Sequence, residues 1–251
     1  MFDREAIKQD FGRAASGYDA FAQLQHDVRR RCIDLAKNYW RDGATILDAG
    51  CGTAALSLEA PQWSVISADL AFGMCQSALQ KSASIVNAEA KALPFADQIF
   101  DGIFSSLMLQ WVNDPAVALR ELYRVALPGY SILSTFTANT LHELKAAFAA
   151  VDGASHVSDF LTAEQWKDHA RAAGFEIISA EETLMMEHVT DAATLMRSLK
   201  AIGATHKKMD RRRGLMTPKH LTALEKSYAE LAQKEGLPVS WKLLYLVLRK
   251  A

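Results

Sequence analysis

Cysteine is scarce, with three in 251 residues. Cys32, Cys51 and Cys75 make no C-x-x-C pair, and no His/Cys cluster has metal-ligand spacing. Both a disulfide framework and a zinc site are therefore not expected, and a reducing, cytoplasmic setting is the simplest reading. Long apolar runs are missing as well: no stretch of about 18 apolar residues occurs, so no membrane span is expected. The start, MFDREAIKQDF, is charged and lacks the apolar core of a signal peptide. No sign of charge dominates either. The net charge of -1 argues against bulk nucleic-acid binding. No internal repeat, low-complexity tract or Pro/Gly-rich linker divides the chain. Tyr-x-x-x-Lys is also absent, which removes one common dehydrogenase chemistry.

Apolar residues are plentiful. Half the chain is hydrophobic, enough at this length for a sizeable core without a staple. ATILDAG (44–50), WSVISADL (63–70), DGIFSSL (101–107) and YSILSTF (130–136) read as strands. Leu24, Val28, Cys32, Leu35 and Ala36 fall at helical spacing within 20–40, and further helices are expected over 71–82, 114–126 and 139–150. This alternation predicts an α/β fold with a doubly wound, mostly parallel sheet, whose ligand crevice lies at the carboxyl ends of the strands. In the second half, Thr162 and Gly174 bracket a helix, and FEIISAEETLMM and SWKLLYLVLRK read as strands. Two helices between them, near 191–203 and 217–235, exceed a plain crossover. The expected organisation is one domain over 1–251, with a helical insertion at 186–236 forming a lid.

The stretch ILDAGCGTAALS (46–57) carries the ligand signal. Gly50 and Gly52 allow the backbone to approach a ligand at a helix N-terminus. Asp69 ends the next strand, where a carboxylate accepts from ribose hydroxyls. Gly50, Gly52 and Ala55 also satisfy G-x-G-x-x-A, so a nicotinamide enzyme and an ordinary tight βα turn are alternatives. Asp48, two residues before the first glycine, suits an ammonium and sulfonium and would repel a pyrophosphate. Glu89 stands a few residues before a Leu-Pro-Phe turn. Together these features favour S-adenosylmethionine (SAM).

DAGCGTAALS, ALPFADQIFDGIFSSLMLQW and ALRELYRVALPG resemble the class I SAM-dependent methyltransferases, a Rossmann-like superfamily. FGRAASGYD, SLMLQWVND, VDGASHVSDFL and above all LMRSLKAIGATH resemble the malonyl-acyl-carrier-protein O-methyltransferases of biotin synthesis. The resemblance runs from Phe11 to the last strand. It implies SAM as cofactor, methyl transfer to the free carboxylate of a malonyl thioester, and an acyl carrier protein as partner, with no nucleic acid and no membrane. It implies cofactor contacts at Asp48, Gly50, Cys51, Gly52, Asp69, Leu70, Glu89, Ala90 and Ser105. An N-terminal helical cap over 1–40 would add Tyr18 and Arg13, the latter paired with the methionine carboxylate.

A malonyl carboxylate is ionised at neutral pH and needs no general base. What the transfer needs is an in-line approach at roughly 3–3.5 Å and the exclusion of water. Arg197, Lys200 and His206 are candidate anion holders on the lid, His156 a candidate pocket residue, and Gln110 and Trp111 candidate substrate-facing residues. Each has a structural alternative: solvated helix face for the cations, a satisfied loop for His156, plain core for Trp111. The basic runs at 29–31 and 206–213 are either solvated faces or docking ground for an acidic carrier. The second run, with Lys207, Lys208, Arg211, Arg212 and Arg213, is the favoured docking surface. Neither run interleaves aromatics, against nucleic acid.

The chain departs from the family pattern in places. Ala54 stands where glycine is usual, which is tolerable at negative φ and costly at positive φ. Glu89 replaces an aspartate, Tyr130 follows Pro128-Gly129, and Pro61 stops the helix after the glycine turn. Two rivals remain at this point. One is a class I methyltransferase for another small acid or a protein acceptor, the other a non-catalytic SAM-binding assembly protein.

Overall fold

The structure is a computed structural model that describes residues 2–81, 84–152, 156–204 and 218–251. Three helices lead the chain: Arg4–Ala14 (α1), Tyr18–Phe21 (α2) and Gln23–Ala36 (α3). Then come Thr45–Ala49 (β1), Leu56–Glu59 (α4), Ser64–Asp69 (β2), Phe72–Leu79 (α5), Ile85–Asn87 (β3) and Phe100–Ser106 (β4). Pro115–Val125 (α6), Ala126–Phe136 (β5), His142–Asp152 (α7) and Ala163–Ala172 (α8) follow. Glu176–Val189 (β6), Ala192–Ala201 (α9), Pro218–Ala229 (α10) and Leu237–Lys250 (β7) complete it.

The strands form one seven-stranded sheet in the order β3-β2-β1-β4-β5-β7-β6. Pairs among β1 to β5 are parallel, whereas β7 runs antiparallel to both β5 and β6. The expected doubly wound, mostly parallel sheet is what folds. From β1 the chain winds outward through β2 and β3, then returns to place β4 on the other side. This reversal puts the crevice at the carboxyl ends of β1 and β4.

Local sequence explains the framework. β1 and β7 are buried on both faces, as their near-continuous apolar runs require. Asp114 caps α6 at the Val117 N–H, with Pro115 in the first turn. Lys250, buried at the last strand, donates to the carbonyls of Tyr123 and Ala126 at 2.8 Å and so satisfies the end of α6. Thr162 and Gln165 form a capping box on α8, at the N-cap expected from sequence.

Apolar side chains cover both faces of the sheet. Val28, Cys32 and Ile33 of α3 join Phe148 of α7, Leu195 of α9 and Leu224 of α10 on one. Leu119 and Leu122 of α6 and Trp166 of α8 cover the other. The two helices between β6 and β7 therefore share the main core, with Leu195 and Leu224 buried.

Helix α1 is held by glycines. A Cβ on Gly73 of α5 would lie 2.4 Å from the Gly12 carbonyl oxygen, and one on Gly203, just past α9, would lie 3.1 Å from the backbone of Asp10 and Phe11. Only residues without side chains let these backbones meet.

Candidate cofactor site

A cavity with about 1020 Å³ of empty space, its mouth included, opens at the carboxyl ends of β1, β2 and β4. Gly50 and Gly52 line it from the first loop, Asp69 and Leu70 from the second, Glu89 and Ala90 from beyond β3, and Met108 and Trp111 from beyond β4. Ile7 and Phe11 of α1 and Tyr18 of α2 complete the wall.

Gly50 and Gly52 sit at φ +76° and +54°, the left-handed region that favours glycine. A Cβ on Gly50 would fall 2.1 Å from Met108 Cγ, so the loops after β1 and β4 touch because Gly50 has no side chain. Asp69 holds the glycine loop in place: its carboxylate accepts from the Gly52 N–H at 2.9 Å and the Ala71 N–H at 2.8 Å. Burial pushes its pKa up to about 6, against the lowering by those hydrogen bonds.

Asp48 stands directly behind this loop at 4% exposure. Arg29 is a nearby opposite charge, but its guanidinium is committed to Glu59 at 2.9 and 2.6 Å. Burial raises the Asp48 pKa to about 7, partly offset by Arg29, with Asp69 and Glu59 adding to the rise. No hydrogen-bond donor among the described residues reaches this carboxylate. Asp48 is not itself in the lining, but a buried carboxylate only partly offset by Arg29 behind a glycine cradle favours a cationic ligand and opposes a pyrophosphate. The residues present therefore suit SAM, whose amino-acid end carries an ammonium and a sulfonium, over a dinucleotide.

The N-terminal segment closes the mouth. Arg4 reaches Glu89 at 2.6 Å, and the rings of Phe2 and Phe11 pack edge-on against Trp111 at 5.8 and 5.5 Å. Asn113 pairs with Phe2 twice, accepting from its N–H at 2.5 Å and donating to its carbonyl at 3.0 Å. Asp19 of α2 accepts from the Thr53 hydroxyl at 2.7 Å and pairs with Lys81.

Comparison with known proteins narrows the assignment. The family model described as "Methyltransferase domain" matches residues 47–134, from β1 into β5. A malonyl-[acyl-carrier protein] O-methyltransferase of Serratia marcescens is 39% identical, over 98% of this chain and 96% of its own. Its Yersinia pestis counterpart is 36% identical, over 98% and 91%. The chain belongs to the malonyl-[acyl-carrier protein] O-methyltransferase family. The solved structure of the Bacillus subtilis YcgJ protein, 17% identical, matches 89% of this chain and all of its own with a TM-score of 0.58. That likeness speaks for the fold alone.

Of the residues the family resemblance implied, Tyr18, Gly50, Gly52, Asp69, Leu70, Glu89, Ala90 and Trp111 converge on the cavity. Ser105 supports it from behind, its buried hydroxyl donating to the Ala49 carbonyl at 2.8 Å. Cys51 is outside the lining, and burial lifts its thiol well above the usual range.

Others fall elsewhere. Arg13 lies outside the lining; its side chain is 73% exposed, against Gln9 and Asp10 at 3.3 Å. Arg4, Ile7 and Phe11 share one face of α1 at i, i+3 and i+7, and Arg13 projects from another. Arg4 is the cation that helix brings to the mouth. Gln110 is outside this lining but lines a second cavity next to it, its amide donating to the Leu107 carbonyl at 2.6 Å and accepting from Thr135 at 3.1 Å. It braces Leu107, whose φ is +52°. Arg197 and Lys200 lie on α9, outside the lining, and Arg197 bonds Thr194 at 2.8 Å with its side chain 71% exposed. The end of α9 backs onto α1 at Asp10 and Phe11, so α1 stands between it and the cavity.

His156 stacks on Phe148 at 4.0 Å and is not in the lining. Of the run at 29–31, Arg29 holds Glu59, and Arg31 pairs with Glu181 at 2.5 Å and lies over the Tyr245 ring. These are structural ties. His206, Lys207, Lys208, Arg211, Arg212 and Arg213 lie outside the described residues.

The helical cap expected over 1–40 gives its first helices no bounds, so the face of α1 was missed, and with it Arg4 and the packing of Phe2. The signal was there: Asp3 caps the helix at the Ala6 N–H, and Ile7 and Phe11 stand at i and i+4.

Ala54 answers its question on the costly side. It is fully buried with φ +55°. Left-handed backbone costs an L-residue about 1–2 kcal/mol, and removing the methyl forfeits about 0.8 kcal/mol of burial. Ala54→Gly should therefore stabilise slightly, raising the thermal midpoint by about 2 °C and leaving SAM affinity within about twofold. A lowered midpoint in a calorimetric scan would refute the strain argument.

The glycine contacts of α1 predict an asymmetry. Gly73→Ala should weaken SAM binding about tenfold by pushing α1 off the cavity, since overpacking costs roughly 1–3 kcal/mol. Gly12→Ala meets nothing closer than 3.7 Å and should bind as the natural protein does. Titration calorimetry on both variants checks this, and equal affinities would remove α1 from the site.

Proposed function

We propose that this protein transfers a methyl group from SAM to the free carboxylate of a malonyl thioester carried on acyl carrier protein, in the cytoplasm, as a step of biotin precursor synthesis. Family membership supports the acceptor. The observation that carries the cofactor is Asp48, a buried carboxylate without a donor among the described residues, behind the Gly50–Gly52 cradle.

SAM supplies an electrophilic methyl when bound. The chain's own groups do the rest. Asp48 sets a negative field where the cofactor's cationic end is held. Asp69 fixes the glycine loop and stands where a carboxylate accepts from ribose hydroxyls, and that loop admits the cofactor's close approach. Met108, Trp111 and Phe11 line the cavity with apolar surface that excludes water from the reacting atoms. The nucleophile is already an anion, so the site has to position and dry it rather than deprotonate it. No histidine lines the cavity among the described residues, as such a reaction allows.

We read the chain as a single domain in which residues 1–40 cap the cofactor and the insertion at 186–236 serves as lid. The basic run from Lys207 to Arg213 is the docking ground for the acidic carrier. Methyl-labelled SAM incubated with malonyl-acyl carrier protein, and in parallel with malonyl-CoA, should yield a base-labile methyl ester on the carrier. No label on either, with SAM binding intact, would sink the malonyl assignment.

A further inference from the structure

A second, open cavity, with about 950 Å³ of empty space counted out to the surrounding solvent, lies beside the first. Val112 and Asn113 line both. Phe2 lines the second cavity and packs its ring on Trp111, which lines the first. Only a thin partition therefore separates the cofactor's cavity from its neighbour, and Phe2 is a removable part of it.

The chemistry of the second cavity differs from that of the first. Phe160, Leu161 and Trp166 give it apolar walls. Its titratable members are Asp114, which caps α6, Asp159, which pairs with Lys145 at 2.6 Å, and His169, edge-on to the Trp166 ring. No lysine or arginine lines it among the described residues. A carboxylate or phosphate would be repelled there, and a neutral chain would be accepted.

The Asn113–Phe2 pairing shows what sort of neutral chain. The Asn113 side chain offers one acceptor and one donor to a backbone N–H and a backbone C=O. An acyl arm bearing amide groups presents the same pair.

We propose that the second cavity receives the neutral, amide-bearing arm of the thioester acceptor, and that Phe2 occupies the inner end of that path until the arm displaces it. This rests on the reading of the acceptor as a carrier-bound thioester. The carboxylate at the tip then passes Asn113 into the cofactor cavity, while the neutral arm stays behind in surroundings that disfavour the carboxylate. Phe2 is the plug and Asn113 the shared anchor.

The test uses D-pantetheine, which has the amide arm but neither malonyl group nor carboxylate, titrated into the full chain and followed by tryptophan fluorescence. Phe2→Ala should bind it about five- to tenfold tighter than the natural protein, because the ring packed on Trp111 is gone and the residue-2 backbone is left held by Asn113. Adding Asn113→Ala to that variant should cost about tenfold, the worth of one or two neutral hydrogen bonds. Thermal melts of both variants establish that they fold. Unchanged affinity in Phe2→Ala, or indifference to Asn113→Ala in that background, would overturn the proposal. Pantetheine accepts no methyl, so its binding is independent of the labelling experiment. A failed methyl transfer beside a positive titration would remove the malonyl acceptor and leave the arm site standing.

Discussion

Asp48→Asn should do two opposite things: raise the dissociation constant for SAM about 100-fold, and make the cofactor-free protein more stable. Both follow from one buried carboxylate. Its pKa is held at about 7, first by burial, against an ordinary value of 3.8. Between pH 4 and 7 the folded state therefore binds more protons here than the unfolded chain, and the folded state loses stability as pH rises through that window. The difference of roughly three units corresponds to about 4 kcal/mol as an upper bound, fully expressed above pH 7 and absent near pH 4. Asparagine removes that burden, so the stability gain should grow with pH and level off above 7. The cofactor needs the charge that the fold resists: truncating one partner of a buried charge pair costs about 2–5 kcal/mol, of which 100-fold is about 2.7 kcal/mol. In the natural protein SAM affinity should fall about tenfold per unit as pH drops below 7, with Asp69 adding a further loss below about 6. Chemical denaturation and titration calorimetry at pH 5, 7 and 8 read both effects. An Asn variant that binds SAM normally at pH 8, or is no more stable there, would remove Asp48 from the site.

The frame of this protein was legible because its sheet announces itself. ATILDAG, WSVISADL, DGIFSSL and YSILSTF each became a strand, and the helical pattern between them fell where α5, α6 and α7 stand. β3 escaped because three residues, Ile85–Asn87, are too few for any periodicity to show. The glycine turn and Asp69 were readable from spacing, since close approach and ligation leave their mark on residue type. Arg13 was the family-based choice to pair with the methionine carboxylate; the face of α1 turns it outward and brings Arg4 to the mouth, and a helical cap expected without bounds for its first helix has no face to read there. Gln110 follows the right strand and lines the second cavity, while its hold on Leu107 at φ +52° is a tertiary contact that sequence cannot reveal. LMRSLKAIGATH carried the specific resemblance through its letters. What Gly203 does there, backing α9 onto α1, is a matter of tertiary contact and appears only in three dimensions.

Gly50→Ala and Gly52→Ala should part company, although both glycines stand in the same turn at positive φ. Each substitution incurs about 1–2 kcal/mol of left-handed strain. At Gly52 that is the whole structural cost, for an added Cβ meets nothing within 4 Å. At Gly50 the new atom would lie 2.1 and 2.4 Å from Met108 Cγ and Cβ. Those atoms are close to the backbone, so the loop after β4 has to move, at roughly another 1–3 kcal/mol. Gly50→Ala should thus lose about 2–5 kcal/mol in all, a drop of roughly 6–15 °C in the thermal midpoint. Its SAM affinity should fall beyond detection, because the displaced loop carries Met108 and Trp111. Gly52→Ala should melt within about 5 °C of the natural protein and still bind SAM measurably, though weakly. The added Met108→Ala substitution gives the decisive comparison: it opens space for the Gly50→Ala methyl and should restore part of the lost midpoint, with nothing comparable in the Gly52→Ala background. Equal melting of the two single variants, or no restoration by Met108→Ala, would show that the loops after β1 and β4 are not in the contact that shapes the cavity.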